Sequence, residues 1–148
     1  MRVFVSVGTD RHPFDRLVGW AEAWAVKHPE DDVLVQNGYS DPPRAARSVE
    51  LLTHDEMTRE LAAADVLVLS AGPGAVMAAR RAGRRPIAVP RRAELGEHVD
   101  DHQRAFVEHI DGRGMAWAAS NAESLDRLLR RARTEPGQFR CDPPPAGP

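Results

Sequence analysis

The chain has 148 residues, a formal net charge of -2, 42% hydrophobic residues and 28% charged residues. This length predicts one domain with a real core, and the charge balance gives no global attraction to nucleic acid. The single cysteine, Cys141, excludes an internal disulfide framework and a multi-cysteine zinc site. No apolar run is long enough to span a membrane, so we expect a protein of the reducing cytoplasm.

Strand-like and helix-like segments alternate along the first half of the chain. A β-branched run at 3–7 is followed by apolar residues at helical spacing over 14–25. Two further strands are predicted at 33–36 and 49–52. The segment Thr53–Glu56 has the pattern of a capping box, which predicts that a second helix begins there.

The alternation continues through the second half. The run 66–69 is apolar throughout, as is typical of a central parallel strand, and a glycine loop and a small-residue helix follow it. The remaining predicted elements are a strand at 86–90, a polar loop at 91–99, a helix from Asp100, a strand at 115–119 and a helix opened by a capping box at 120–123.

The pattern predicts an α/β fold with a doubly wound parallel sheet of about six strands in the order 3-2-1-4-5-6. We assign residues 1–135 to this Rossmann-like domain. Residues 136–148 contain five prolines and two glycines and are expected to form a disordered tail.

Two glycine-bearing strand ends meet at the predicted switch point of this sheet, where ligands bind in such folds. Gly8-Thr9 follows the first strand, and Gly72 and Gly74 lie between the fourth strand and its helix. Helix N-terminal N–H groups bind anions, so the expected guest is a diphosphate. Each piece alone is also compatible with an ordinary turn. No GxGxxG or Walker motif is present, which disfavours dinucleotide and P-loop sites.

The segment GEHVDDHQ, residues 96–103, borders the same crevice. Its histidines and aspartates could suggest a metal, but polar residues before a helix usually cap it, and no metal is expected. Asp100 and Gln103 have capping-box spacing. The same side chains could instead bind the hydroxyl groups of a sugar.

Arginines bracket the fifth strand on both sides. Arg84, Arg85, Arg91 and Arg92 are expected on the solvated surface, although the last two could reach a phosphate.

Three segments together resemble the C-terminal, donor-binding half of GT-B glycosyltransferases of the family 28 type. They are VFVSVGTDRHPFDRLV, ADVLVLSAGPGAVMAARRAGRRPIAVPRR and ELGEHVDDHQ. The resemblance covers about residues 2–132. It is strongest to free-standing small subunits of two-chain GlcNAc and exopolysaccharide transferases.

The resemblance implies a UDP-sugar donor and no metal or other cofactor. It implies that Gly8 and Thr9 face the diphosphate and the acceptor cleft, and that Gly72, Gly74 and Ala75 lie against the phosphates. It implies that Arg91 borders the base and that His102 and Gln103 hold the donor sugar. We favour this role for Gln103 over capping, since Asp100 can cap alone.

One position departs from the family pattern. The family usually has a glutamate that binds the ribose hydroxyls five residues before the glycine ending this helix, and this chain has Ala78. The loss of a charge-assisted acceptor predicts weaker donor binding, by about 1.5–3 kcal/mol if the group is buried. Glu94 and Glu97 are candidates to replace it.

The resemblance also implies a partner. A GT-B enzyme needs an acceptor-binding half, so we expect a membrane-anchored subunit that supplies a lipid-linked saccharide acceptor and brings this chain to the inner membrane face. The catalytic base is unassigned, and His12 is the candidate to test. Two alternatives remain open: a non-catalytic subunit with a weakened donor site, and an unrelated small nucleotide-binding α/β enzyme.

Overall fold

The computed structural model describes residues 1–145, so the last three positions of the predicted tail, 146–148, lie outside the described residues. Six parallel strands form one sheet in the order β3-β2-β1-β4-β5-β6, which confirms the predicted order. The strands are β1 (Arg2–Ser6), β2 (Asp32–Gln36), β3 (Arg47–Val49), β4 (Val66–Ser70), β5 (Ile87–Val89) and β6 (Trp117–Ala118).

Five helices connect the strands and cover both faces of the sheet. They are α1 (Asp15–Lys27), α2 (His54–Ala63), α3 (Pro73–Arg81), α4 (His102–Gly112) and α5 (Ala122–Thr134). Short 3₁₀ turns lie at Ala93–Leu95 and Pro136–Phe139. Among residues 1–145 no helix is both long and apolar enough to cross a lipid bilayer.

Alternation along the strands divides the core into two layers. Val3 and Val5 of β1 point into a cluster with α1 and α5, whereas Phe4 points into a cluster with α2 and α3. A smaller cluster joins α3 to α4, including Val76 and Val107. Every residue of β4 is buried, because this strand is central and helices cover both of its faces.

Local sequence signals fix several helix starts. Thr53 and Glu56 form the predicted reciprocal capping box at α2. At α5 the box is formed by Asn121 and Ser124, one residue later than predicted. Strand β3 begins two residues earlier than expected, because its pairing with β2 already starts at Arg47, which lies opposite Leu34.

The chain after α5 is packed, so the predicted boundary at residue 135 moves to about residue 141. Phe139 is 1% exposed and its ring lies 5.6 Å from that of Trp117. The backbones of Arg140 and Arg84 form an isolated antiparallel β-bridge, and the Cys141 N–H donates to the Gly83 carbonyl oxygen at 3.0 Å. The proline count predicted disorder here, but one buried aromatic residue is enough to anchor the segment.

Candidate functional site: a cleft at the carboxyl ends of β1, β4 and β5

A cleft of about 270 Å³ opens where β1 and β4 lie side by side and their connections depart in opposite directions. This is the position at which open α/β sheets bind ligands. Seven of the eight residues expected at a donor site line it: Gly8, Thr9, Gly72, Gly74, Ala75, Arg91 and Gln103. Val7, Asp10 and Ser70, which the sequence did not single out, complete the lining.

The N-terminus of α3 forms one wall of the cleft and is left open. Gly72 is the N-cap and Pro73 occupies the first turn; no side chain caps this helix within the described chain. Its first turn contains no acidic residue, whereas Arg80 and Arg81 lie in its last turn. A Cβ placed on Gly72 or Gly74 would meet nothing within 4 Å. The helix therefore presents backbone donors and the positive end of its dipole to the cleft.

The loop after β1 forms the opposite wall. Gly8 has φ +81, in the left-handed region that favours glycine, and its N–H donates to Ser6 Oγ at 3.1 Å. Gly38 lies behind this turn with φ +50, and a Cβ there would lie 3.1 Å from the Gly8 carbonyl oxygen. Thr9 is exposed at the tip. Close glycine packing thus sets the position of the loop.

Arg91 is 0% exposed and lies beneath the cleft, which contradicts its expected place on the solvated surface. Its guanidinium donates to the carbonyl oxygens of Val7, His12 and Glu97 and to Ser70 Oγ. Burial lowers the pKa of Arg91, but nearby carboxylates oppose that effect and arginine stays charged in proteins. Arg91 therefore holds the cleft walls together, with most of its donors already used.

The other arginines around β5 also differ from one another in how far they are buried. Arg84 is 6% exposed and donates to the carbonyl oxygens of Ala62 and Asp65. Arg92 is half-exposed and pairs with Glu94. Arg85 is half-buried, with its guanidinium over the Trp117 ring and donating to the Ala116 carbonyl oxygen. Of the four arginines, only Arg92 thus matches the expectation of a solvated surface arginine.

Gln103 spans the cleft floor and does not cap α4. Its Oε1 accepts from the Arg91 N–H at 2.9 Å and from Ser70 Oγ at 3.4 Å. The N-cap of α4 is Asp101, whose side chain makes no cap bond, so the Asp100–Gln103 capping box that the spacing allowed is absent. Gln103 lines the cleft, and its NH₂ group makes no hydrogen bond within the described chain, so its two donors are available to a ligand.

His102 lies outside the cleft lining. Its side chain is 90% exposed, and its Nδ1 lies 3.2 Å from Asp100 Oδ2. Asp100 Oδ1 also accepts from the His102 N–H at 3.0 Å. The structure therefore places this residue beside the cleft rather than on its wall.

Ala78 and its two candidate replacements lie away from the cleft. Ala78 is half-buried against the cluster that contains Leu61. Glu97 is 4% exposed and forms a two-bond pair with Arg16, with distances of 2.9 and 3.0 Å. Glu94 is engaged by Arg92. No carboxylate among the described residues therefore lines the cleft except that of Asp10.

Asp10 contributes the one acidic group of the lining. Its Oδ1 accepts from the His12 N–H at 2.8 Å and lies 2.6 Å from His12 Nδ1. Its Oδ2 lies 3.4 Å from His98 Nε2. Burial raises the pKa of Asp10, but the His12 hydrogen bonds and the charges of Arg91 and His98 outweigh it and hold the pKa below its usual value. The Asp10 carboxyl group is therefore ionised at neutral pH.

Another depression of the surface, about 330 Å³, lies at the opposite end of the sheet and is a poor candidate site. It is lined by Asp31, Asp32 and Arg47, which already pair with other groups of the protein. His28, Glu30 and Asp31 lie close together near it, but Asp31 accepts from the ammonium group of Met1 and from Arg133. These cations make the group unfavourable for a metal ion.

The sequence model of the glycosyltransferase family 28 C-terminal domain matches residues 2–141. No curated protein matches the chain at a significant level. The match covers almost the whole chain and ends where the packed C-terminal segment ends.

Solved glycosyltransferases share this fold. MurG of Acinetobacter baumannii is 21% identical, with a TM-score of 0.62 over 94% of this chain and 43% of its own. The glycotransferase of kitacinnamycin is 17% identical, with a TM-score of 0.65 over 93% of this chain and 35% of its own. This chain thus spans well under half the length of these enzymes.

The fold also occurs as a chain of about this size. The molybdenum cofactor binding protein from the phototrophic bacterium Rippkaea orientalis is 13% identical, with a TM-score of 0.55 over 87% of this chain and 94% of its own. At such identities the likeness shows the fold alone. The family match carries the assignment: the chain belongs to the glycosyltransferase family 28 C-terminal domains.

Proposed function

We propose that this chain is the donor-binding subunit of a glycosyltransferase, which moves a hexosyl or N-acetylhexosaminyl group from a UDP-sugar to a lipid-linked saccharide. The observation that carries the proposal is the uncapped N-terminus of α3, which faces Gly8 and Thr9 across a cleft of about 270 Å³. The acceptor comes from a membrane-anchored partner subunit, which also brings this chain to the inner membrane face.

The donor diphosphate belongs at the N-terminus of α3. The N–H groups of Gly74 and Ala75 and the helix dipole favour an anion there, and both glycines let it approach the backbone closely. Negative charge develops on the diphosphate as the sugar leaves. Fixed donors that stabilise this charge accelerate transfer without a metal ion.

The donor sugar belongs beside Gln103. The NH₂ group of this residue suits a sugar hydroxyl, and its Oε1 is held in place by Arg91 and Ser70. His102 contributes from the rim, where its exposed side chain would have to turn toward the sugar. Arg91 sets the position of the floor on which the nucleotide lies.

Exposed apolar side chains support a partner at the same edge of the sheet. Tyr39, Leu51, Leu95 and Val99 are 57%, 50%, 51% and 74% exposed, and they follow β2, β3 and β5 at the end where the cleft opens. A partner that covered this edge would remove their apolar surface from water. A partner seated there would close the donor cleft against its own acceptor site.

Calorimetric titration with UDP, UDP-GlcNAc, UDP-glucose and GDP tests the donor site, using the wild-type chain and Gly74→Asp. Since a Cβ at Gly74 meets nothing and a carboxylate suits a helix N-terminus, this variant should fold normally. It should nevertheless lose uridine nucleotide binding at least tenfold, because its carboxylate repels the diphosphate.

Gly137→Asp is the matched control. It introduces the same carboxylate at another glycine with open space, far from the cleft in the segment after α5, and should bind as wild type does. Equal binding by the wild type and Gly74→Asp would contradict the placement of the diphosphate. Absence of uridine nucleotide binding by the wild type, alone and with its partner, would contradict the proposed function.

A second candidate is a non-catalytic subunit with a weakened donor site, and Ala78 favours it. Asp10 contributes the one carboxylate that lines the cleft within the described chain, and His12 and His98 already lie against it. Repeating the titration with the partner present separates the two candidates. Binding that appears only in the complex indicates a site completed by the partner, and its continued absence favours the non-catalytic subunit.

A further inference from the structure

A row of ionisable side chains runs from the donor cleft along its rim, and the donor function does not use it. Asp10 lines the cleft and lies between two imidazoles, those of His12 and His98. The two rings are stacked, with centroids 6.2 Å apart and an interplanar angle of 29°. Asp100 lies 3.4 Å from His98 Nδ1 at the outer end of the row.

The hydrogen bonds of Asp10 set the tautomer of His12. An ionised carboxylate only accepts hydrogen bonds, so the proton of neutral His12 must lie on Nδ1, 2.6 Å from Asp10 Oδ1. Nε2 is then left with a lone pair. An imidazole held in this way by a carboxylate is the usual arrangement of a base that accepts a proton through its far nitrogen.

The surroundings hold the carboxylate in its charged form and the ring in place. Arg91 donates to the His12 carbonyl oxygen and lies near Asp10, whose carboxylate its charge stabilises. His98 Nε2 lies 3.4 Å from the other oxygen of that carboxylate. His12 is not itself part of the cleft lining, but its side chain remains 35% exposed beside Asp10, which is, so a molecule from solvent can reach the ring.

We propose that His12 is the general base of the transfer reaction, with Asp10 and His98 as the residues that position it. This inference rests on the proposed function, which assigns no catalytic base, and it names that base. Nε2 of His12 takes the proton of the acceptor hydroxyl while that oxygen forms its bond to the anomeric carbon. The bond from the anomeric carbon to the diphosphate oxygen breaks, and its electron pair leaves with UDP.

The first test is transfer of radiolabelled sugar from UDP-GlcNAc and UDP-glucose into lipid. Membranes of the source organism, from a strain lacking this chain, supply partner and acceptor, and purified wild-type chain or variant is added. His12→Ala should lower transfer about 100-fold or more, as loss of a general base does. UDP binding should stay within twofold of wild type. Added imidazole should restore part of the activity to His12→Ala, which loss of a structural contact would not allow.

His109→Gln is the control, because His109 is an exposed histidine in the last turn of α4, away from the cleft. It should transfer as wild type does and gain nothing from imidazole. Transfer by His12→Ala within threefold of wild type would overturn the proposal. A loss of transfer that only matches a loss of UDP binding would overturn it as well.

The second test does not depend on transfer. Nitrogen NMR of the imidazoles should show His12 with its proton on Nδ1 in the wild type and mainly on Nε2 in Asp10→Asn. A wild-type His12 with its proton on Nε2 would overturn the proposal even if the donor site is correct. Conversely, if the wild type shows the expected tautomer but binds no uridine nucleotide, the proposed function is wrong and the arrangement of His12 and Asp10 still holds.

Discussion

The guanidinium of Arg91 donates a hydrogen bond to the carbonyl oxygen of Val7, so the end of β5 holds the end of β1 from inside the protein. These two residues are 84 positions apart in the chain. The bond joins the two sides of the candidate donor cleft, because both residues line it.

Arg91→Met should destabilise the fold by about 3–5 kcal/mol, because it leaves the buried carbonyl oxygens of Val7, His12 and Glu97 without their donor. Urea unfolding followed by circular dichroism measures the loss. Arg92→Met is the control, since that half-exposed side chain pairs only with Glu94, and it should change stability by less than about 1 kcal/mol. Equal losses in the two variants would contradict the role of Arg91.

Phe139→Ala should lower the free energy of unfolding by about 3–5 kcal/mol, because it leaves a cavity at a fully buried aromatic position in the larger core cluster. A chain ending at residue 135 should lose at least as much, whereas one ending at residue 145 should melt as the full chain does. Thermal unfolding compares the three. If the chain ending at residue 135 melts as the full chain does, the segment after α5 contributes nothing and the boundary at about residue 141 is wrong.

Gly38→Ala should both destabilise the protein and weaken uridine nucleotide binding. Its φ of +50 strains any Cβ, by about 1–2 kcal/mol, and the new methyl group would meet the Gly8 carbonyl oxygen at 3.1 Å. Melting temperature and calorimetric titration give the two readouts.

Gly19→Ala is the matched control for that substitution. Gly19 lies inside α1 with open space around its Cβ position, and alanine there should stabilise the helix by about 0.5–1 kcal/mol. It should leave nucleotide binding unchanged. A Gly38→Ala variant that loses stability but binds normally would show that the Gly8 turn does not depend on this contact.

The stability of the protein should fall on acidification partly through Asp31, whose side chain is fully buried and accepts from Met1, Trp24 and Arg133. Burial raises the pKa of Asp31, but its three donors outweigh it and hold the pKa below the usual value. The unfolded chain therefore binds the proton more tightly. This contribution is present above about pH 4 and is lost as the pH falls through the lowered pKa.

Asp31→Asn should cost on the order of 2 kcal/mol at pH 7, and the difference from wild type should shrink as the pH falls below about 4. Asp32→Asn is the control, because Asp32 forms only an exposed pair with Arg47 and should cost less than about 1 kcal/mol. Urea unfolding at pH 7, 5 and 3 measures both. A difference for Asp31→Asn that does not change with pH would contradict the ionic role.

The sheet order could be predicted from the sequence because each strand carries a local signal. Every residue of Val66–Leu69 is apolar, which indicates a strand buried on both faces. Gly8 and Gly72 mark the ends of two strands that meet at the switch point of the sheet. Each of these signals spans only a few residues. Because connections between parallel strands are right-handed, few strand orders are then compatible with the predicted elements. The same reasoning placed Gly8, Gly72 and Gly74 at one cleft, and the resemblance to the family supplied the other candidate donor residues.

The positions of Arg91 and Phe139 could not be predicted in this way. An arginine after a strand is usually exposed, and the burial of Arg91 depends on acceptors contributed by Val7 and His12, about 80 residues earlier. Phe139 follows Pro136 and precedes a run of three prolines, and its burial depends on partners elsewhere in the chain, among them Trp117 and the Arg85 N–H. Contacts between distant segments leave no local pattern.

The open N-terminus of α3 has a thermodynamic consequence. Helices α2 and α5 each close their first turn with a capping box, usually worth about 0.5–2 kcal/mol, whereas α3, like α1 and α4, lacks a side-chain cap within the described chain. A bound anion can supply that missing stabilisation. A ligand present at 100 times its Kd adds about 2.7 kcal/mol, or roughly 5–10 °C in Tm for a domain of this size. Melting curves recorded with a panel of nucleotide sugars could therefore identify the donor before any acceptor is known.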